Sequence, residues 1–436
     1  MLLYRKAIGE LQEWKNNTNK IPLIIRGARQ VGKTWLMKEF GRTQYLKVAY
    51  INFEGNERMK RLFSGDFDIK RLMSGLNLEA ECNIEPENTL IIFDEVQETP
   101  HALTSLKYFQ EKAPEYHIIA AGSLLGVALH PDTSFPVGKV SFLDLYPLSF
   151  SEFIQAMGMK EYLDLLLKQD WDLISGFKDR YLELLKQYIY TGGMPEVVAA
   201  FSGRHDFNEV REIQRRILIA YEQDFSKHAP NKVVPRIRML WNSIPSQLSK
   251  ENRKFIYGLM RKGARAREYE LAMMWLSDSG LIHRINRISK PGMPLKACED
   301  TGAFKLYMLD TGLLSALAGL EAKALLDGSR IFNEFKGALT EQYVLQQLKC
   351  EKNLPVFYWS ADTGTSEVDF IIQMYEMIIP IEVKASENLR AKSIKIYKEK
   401  YQPEISIRTS MSDYRKEDWL VNLPLYGLPA LTGILD

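Results

Sequence analysis

The strongest constraint on this chain lies near its start. Residues 21–27, Ile-Pro-Leu-Ile-Ile-Arg-Gly, form a short apolar run of strand type. They lead into Gly27-Ala28-Arg29-Gln30-Val31-Gly32-Lys33-Thr34, which fits the spacing GxxxxGK followed by Ser or Thr. Residues 35–40 continue as a helix. The glycines let backbone N–H groups curl around a phosphate without a side-chain clash, and the helix N-terminus adds its positive dipole end. Lys33 would reach the β- and γ-phosphates and Thr34 would ligate Mg²⁺. The eight residues 27–34 are the expected nucleotide contacts, with ATP and Mg²⁺ as cofactors.

A second stretch supports the first. Thr89-Leu-Ile-Ile-Phe-Asp94-Glu95 reads as a buried strand ending in two carboxylates. Asp94 would hold the magnesium through water, and Glu95 is placed to polarise an attacking water as general base. Another strand, Val48 to Phe53, is expected between the loop and Asp94. A helix near Ser105–Lys112 and a fourth strand, His117 to Gly122, should follow, with Ser123 closing it as a sensor of the γ-phosphate. An added strand before the acidic one is the order of ATPases with an added catalytic glutamate.

Together these stretches resemble the AAA-type ATP-binding proteins of bacteria and archaea whose second half is a domain of unknown function. The resemblance rests on Arg26 to Thr34, Ile92 to Gln97, Gly122 to Gly126, Leu145 to Phe153, Gly192 to Val197, Lys305 to Gly312 and Glu367 to Phe370, which span nearly the whole chain. It implies an α/β P-loop ATPase domain with a helical lid, a winged-helix segment and an α/β C-terminal domain. Many relatives carry Gly-Arg where this chain has Gly138-Lys139, which makes Lys139 a poor stand-in for an arginine sensing the phosphate, and no arginine finger is assigned.

Length and composition agree with several globular domains. The 436 residues suggest about three domains, or two with a connector. With 46% hydrophobic and 26% charged residues, a wholly disordered chain is excluded. The three cysteines lack CxxC spacing, and the six histidines lack metal-ligand spacing. The N-terminus places charges at once and then reads as an amphipathic helix through Trp14. The longest uncharged stretch, Trp419 to Leu435, is broken by Pro424 and Pro429. The expectation is a cytoplasmic protein without membrane contact.

The net charge of +2 hides an asymmetry. Residues 227–296 hold fifteen Lys and Arg against four acids, so this segment is +11 and the rest of the chain −9. A helix from Arg267 to Ser279, stopped by Gly280, precedes a strand at Leu281 to Ile288 that could pair with Lys305 to Leu309. Two helices and two strands outline a winged helix, as the resemblance implies. The clustered cations fit either DNA phosphates or an acidic neighbour domain of the same chain. The preceding helix-rich stretch, turning at Gly192-Gly193-Met194-Pro195, is the lid that the resemblance implies. Glu196 there reads as an acid at a helix N-terminus.

The C-terminal third carries a further pattern. A helix at Leu339 to Leu348 bears Glu341. A strand at Val356 to Ser360, a strand at Glu367-Val-Asp369-Phe and a strand at Ile378-Ile-Pro-Ile-Glu382-Val-Lys384 follow. An acid, twelve residues, then Glu-x-Lys is the spacing of the restriction-endonuclease-like fold. Asp369 and Glu382 could converge on one Mg²⁺, Lys384 would orient or deprotonate a water, and Glu341 could add a ligand. The expected domains are 1–153, the ATPase; 154–226, the lid; 227–310, the basic winged helix; and 311–436, the nuclease-like domain. Three functions stand open. One is an ATPase coupling nucleotide state to a DNA-binding module and a nuclease-like domain, as a monomer or as a homo-oligomer. The others are an ATP-dependent DNA-processing nuclease and a regulator whose last domain only binds a partner.

Overall fold

The computed structural model describes residues 3–122, 136–250, 254–322, 330–352, 354–362, 366–387 and 392–435. The chain divides into two compact units. One comprises Tyr4–Tyr146 together with Asp278–Gly280; the other comprises Pro147–Ser277 and Leu281–Asp436 with Met1–Leu3.

The first unit is built on a parallel sheet of β1 (Leu23–Arg26), β2 (Lys47–Asn52), β3 (Thr89–Asp94), β4 (His117–Ala121) and β5 (Ser141–Asp144). Their order is β2-β3-β4-β1-β5, and every pairing is parallel. All residues of β3 and β4 are buried, as expected of central strands covered on both faces. This is why they read as unbroken apolar runs. The helices are α1 (Ala7–Asn16), α2 (Lys33–Gln44), α3 (Glu57–Phe63), α4 (Ile69–Glu79) and α5 (Pro100–Lys112). Phe53, Phe63 and Phe93 meet edge to face, with centroids 5.3–5.8 Å apart, in a core shared with Ile51, Leu76, Ile91 and Leu106. Strand β4 lies between β1, which feeds the glycine loop, and β3, which ends at Asp94. The strand expected ahead of the acidic one, β2, lies at the edge of the sheet beside β3. Because all five strands are parallel, both functional ends open at the same edge of the sheet.

The second unit contains the helices α6 (Phe150–Ala156), α7 (Lys160–Lys168), α8 (Trp171–Gly176), α9 (Lys178–Thr191), α10 (Pro195–Arg204), α11 (Phe207–His228), α12 (Val234–Leu248) and α13 (Ala266–Asp278). A mixed sheet follows, made of β6 (Ile282–Ile288), β7 (Glu299–Met308), β8 (Val356–Ser360), β9 (Glu367–Met374), β10 (Met377–Val383), β11 (Ser406–Ser410), β12 (Arg415–Lys416) and β13 (Leu420–Pro424). Its order is β12-β13-β11-β10-β9-β8-β6-β7. The helices α14 (Thr311–Leu317), α15 (Arg330–Lys349), α16 (Lys392–Tyr401) and α17 (Leu431–Leu435) complete the unit. The hairpin β6–β7 expected of a winged helix is present and antiparallel. It is continuous with the C-terminal strands, because β6 also pairs in parallel with β8 at Arg287–Tyr358 and Ile288–Trp359. The sequence gives the strand but not its second partner.

Several motifs behind the family resemblance meet in one buried network in this unit. Asp310 Oδ2 accepts from Gly193 N at 2.6 Å and from Gln346 Nε2 at 3.0 Å, and Oδ1 accepts from Leu313 N at 2.9 Å as the N-cap of α14. Gly193 O accepts from Leu148 N at 2.6 Å. A Cβ on Gly192 would strike the Asp310 carboxylate, and one on Gly193 would strike the Leu148 carbonyl. The two glycines are therefore needed for this close approach. Glu196, one turn on, is exposed and paired with Arg216, the bland role expected of it.

Candidate nucleotide site

The glycine loop runs from the end of β1 to the first turn of α2. Gly27, Gln30 and Gly32 take positive φ of 143°, 65° and 94°, a winding that turns successive N–H groups inward, as anion-binding loops do. A Cβ on Gly27 would collide with the Leu145 carbonyl. Lys33 is buried, and its Nζ donates to the carbonyls of Gly27 and Ala28, both at 2.8 Å. Burial pulls its pKa down to about 8, against the opposing pull of Glu95 and Asp94. The ammonium is thus folded onto its own loop.

At the end of β3, Asp94 Oδ2 accepts from Thr34 Oγ1 at 2.7 Å and from Tyr50 Oη at 2.9 Å. Oδ1 accepts from Glu95 N at 3.1 Å. Thr34 and Asp94, the two residues expected to hold the metal, therefore touch. An oxygen-only pair of hydroxyl and carboxylate fits Mg²⁺, a hard cation that retains water and takes few protein ligands. Glu95 has φ of +50°, a costly backbone state for a non-glycine residue that recurs at functional sites. Gln97 Nε2 donates to its Oε2 at 2.6 Å. Ser123 lies outside the described residues. Lys139 is paired with Glu111 at 3.1 Å.

Three contributors carried no local signal in the sequence. Tyr50 fixes Asp94 from β2. Arg5, buried, donates to the Val31 carbonyl at 3.3 Å and to the Tyr146 carbonyl at 2.6 Å, tying the loop to the chain after β5. Gly280 lies against the Gly27–Ala28 peptide, since a Cβ on it would sit 3.1 Å from Ala28 N.

In the other unit, Asp369 and Glu382 lie on the adjacent antiparallel strands β9 and β10. Asp369 Oδ2 accepts from Val383 N at 2.8 Å. Glu382 is buried, and Lys384 Nζ lies 2.7 Å from its Oε1. Burial raises the pKa of Glu382; Lys384 opposes the shift and Asp369 adds to it. Its Oε2 is buried with no hydrogen-bond partner, and a buried unsatisfied oxygen is a costly state. Glu341 is occupied elsewhere: it accepts from Tyr307 Oη at 3.0 Å and lies 4.0 Å from the buried Lys305. Lys305 also contacts Glu367 at 2.5 Å. Among the described residues no three His, Cys, Asp or Glu side chains converge as a metal would require. Asp369, Glu382 and Lys384 thus come together, and Glu341 belongs to a neighbouring buried ion pair.

Part of the basic segment is matched internally. Arg287 lies 2.5 Å from Asp362 and 3.5 Å from Asp300, Lys296 pairs with Glu299, and Arg261 lies 3.5 Å from Glu268. Lys262, Arg265 and Arg267 are exposed.

The model of the AAA domain family matches residues 19–154, the stretch that holds the loop, Asp94 and Glu95. The chain carries an AAA-type P-loop ATPase domain. Two further models, both described as domains of unknown function, match later stretches: DUF8612 over residues 182–324 and DUF4143 over residues 336–426. No curated protein matches the chain. Among solved structures, the chain is similar to a Walker-type ATPase of Pyrococcus abyssi at 15% identity and a TM-score of 0.46, covering 73% of this chain and 96% of that one. It is also similar to the ORC1 protein of Aeropyrum pernix in complex with DNA, at 13% identity and a TM-score of 0.27, covering 73% and 93%. Cdc6p of Pyrobaculum aerophilum matches at 11% identity and a TM-score of 0.24, covering 73% and 92%. Among the described residues no helix is long and apolar enough to cross a membrane.

Proposed function

We propose that the AAA domain binds ATP with Mg²⁺ and hydrolyses it. The observation that carries this reading is the meeting of Thr34 and Tyr50 on one oxygen of Asp94, with Glu95 next in sequence and Lys33 buried in the loop. Lys33 neutralises the β- and γ-phosphates as they enter, releasing the Gly27 and Ala28 carbonyls. Thr34 and Asp94 would hold the magnesium ion, which would draw charge from the phosphates when bound. Glu95 takes the proton of the water whose oxygen attacks the γ-phosphorus; the bond to the bridging β–γ oxygen breaks and ADP leaves. Gln97 keeps the Glu95 carboxylate aimed. The test is Glu95→Gln, which should retain ATP affinity and lose turnover, because an amide cannot accept the proton. Wild-type turnover in this variant, measured as phosphate release, would refute the role of Glu95.

Around this centre we read the segment 227–310 as a basic winged helix that contacts DNA phosphates through Lys262, Arg265 and Arg267, and the helices of 154–226 as the lid. ATP turnover would bias both. The C-terminal domain is read as nuclease-like. The unpartnered Glu382 oxygen beside Asp369 favours a divalent cation there, and with it the second reading, an ATP-dependent DNA-processing nuclease. The Lys384–Glu382 contact favours the third, a partner-binding domain on a nuclease frame. The three cysteines, which form no disulfide, suit the reducing cytoplasm.

A further inference from the structure

The nucleotide unit is discontinuous in sequence: Asp278–Gly280 belongs to it although the segments on either side do not. These three residues are the last residue of α13 and the turn that follows it. Gly280 takes φ of +73° and Leu281 N donates to Leu276 O at 3.0 Å, the bond that closes a helix on a left-handed glycine. A helix stop alone would need no more. This one also lies on the glycine loop, because the Cβ that Gly280 lacks would sit 3.1 Å from Ala28 N, 3.6 Å from Gly27 C and 3.7 Å from Ala28 Cα.

That peptide is the one whose neighbouring carbonyls receive the Lys33 ammonium. Gly27 itself is closed in by the Leu145 carbonyl, and further along the loop Val31 is held by Arg5. Turning the Gly27–Ala28 peptide would therefore move the cradle of Lys33, and Gly280 is packed close against that peptide. We propose that the turn Asp278–Ser279–Gly280 is a positioning element of the phosphate loop and sets its nucleotide affinity. The proposal rests on the reading of this loop as an ATP site. It gives that site a means of regulation: whatever displaces this turn changes the loop.

The test uses the full chain and a fluorescent N-methylanthraniloyl-ATP. Gly280→Ala adds the Cβ and the left-handed strain together. Gly280→Asn adds the Cβ while relieving much of the strain, since Asn tolerates this conformation. Gly55→Ala, at φ of +66° with nothing within 4 Å, adds the strain alone within the same unit. Both Gly280 variants should bind the probe about tenfold or more weakly, as expected of a misplaced loop, and Gly55→Ala should bind as the wild type. Wild-type affinity in Gly280→Asn would overturn the proposal, leaving the glycine as a helix stop only. Hydrogen exchange on the wild type needs no variant to fold. A non-hydrolysable ATP analogue should slow exchange at 276–282 together with 27–34, and protection confined to 27–34 would also overturn it. If the wild type does not bind the probe at all, the ATP reading falls first and the positioning role with it.

Discussion

Asp310→Asn offers the sharpest stability test. The side chain is fully buried and both oxygens act only as acceptors, from Gly193 N and Gln346 Nε2 on one side and Leu313 N on the other. An amide must turn its NH₂ toward one side. The less costly choice faces Leu313, losing one hydrogen bond and setting two donors against each other. A hydrogen bond to a charged group contributes about 1.5–3 kcal/mol, and a buried donor left unmatched costs about 1–3 kcal/mol. Burial acts in the opposite sense. It pushes the Asp310 carboxyl upward in spite of its donors, so removing the charge recovers part of the loss. A net destabilisation of about 2–3 kcal/mol follows, or a fall in Tm of roughly 3–5 °C for a unit of this size. Urea unfolding followed through the buried Trp241, Trp275 and Trp359 would measure it. A loss below about 0.5 kcal/mol, the range of ordinary surface changes, would refute the account of this network as the keystone of its unit.

Other expectations follow from the same geometry. Lys33 loses its proton above about pH 8 in the empty loop, so ATP affinity should fall between pH 7 and 9, and a flat profile in a probe titration would contradict this. Burial pulls the pKa of His117 down to about 4, with Lys20 and Lys15 adding to the shift, while its Nδ1 sits 2.9 Å from Tyr45 Oη. The folded state holds it neutral, so its contribution to stability is complete above the unfolded pKa of about 6.5 and drains away as pH falls toward 4. The acid-side drop in Tm should be smaller in His117→Gln. If Glu382 and Asp369 take a cation, Mn²⁺ titration of the Lys33→Ala chain should show a site that Asp369→Ala removes; equal heats in both would make the pair structural. If Lys262, Arg265 and Arg267 touch DNA, log affinity should fall with log salt by about 0.9 per contact, and charge reversal should flatten the slope. No binding at low salt would instead leave the cations to intramolecular docking.

The sequence made the nucleotide unit legible because its chemistry is local. Gly27 to Thr34 and Thr89 to Glu95 each carry their geometry within a few residues, and the buried strands announce themselves as apolar runs. What sequence could not supply was the long-range partner. Arg5 looks like an ordinary N-terminal cation until it meets the Val31 carbonyl. Gly280 reads as a helix stop, and nothing nearby points to Ala28. Tyr50 is one aromatic residue in an alternating strand. The C-terminal pattern shows the same division. The spacing of Asp369, Glu382 and Lys384 brought those three together, but Glu341 took its partners from β7, which no short-range pattern ties to α15. The paired glycines and Asp310 stood out as motifs; their role is packing, visible only once Leu148, Gly193 and Gln346 lie around them.

The late position of Gly280 also bears on how the protein is made. The phosphate loop leaves the ribosome early, but the turn that lies on it is encoded about 250 residues later, which at roughly 5–20 residues per second is on the order of ten to fifty seconds of synthesis. During that interval the nascent nucleotide unit has its sheet and its loop without the final brace. A fragment ending at Tyr146 reproduces this state permanently. Such a fragment should fold around the five strands yet hold ATP less well than the full-length chain, and adding nucleotide during translation should help little until α13 has emerged.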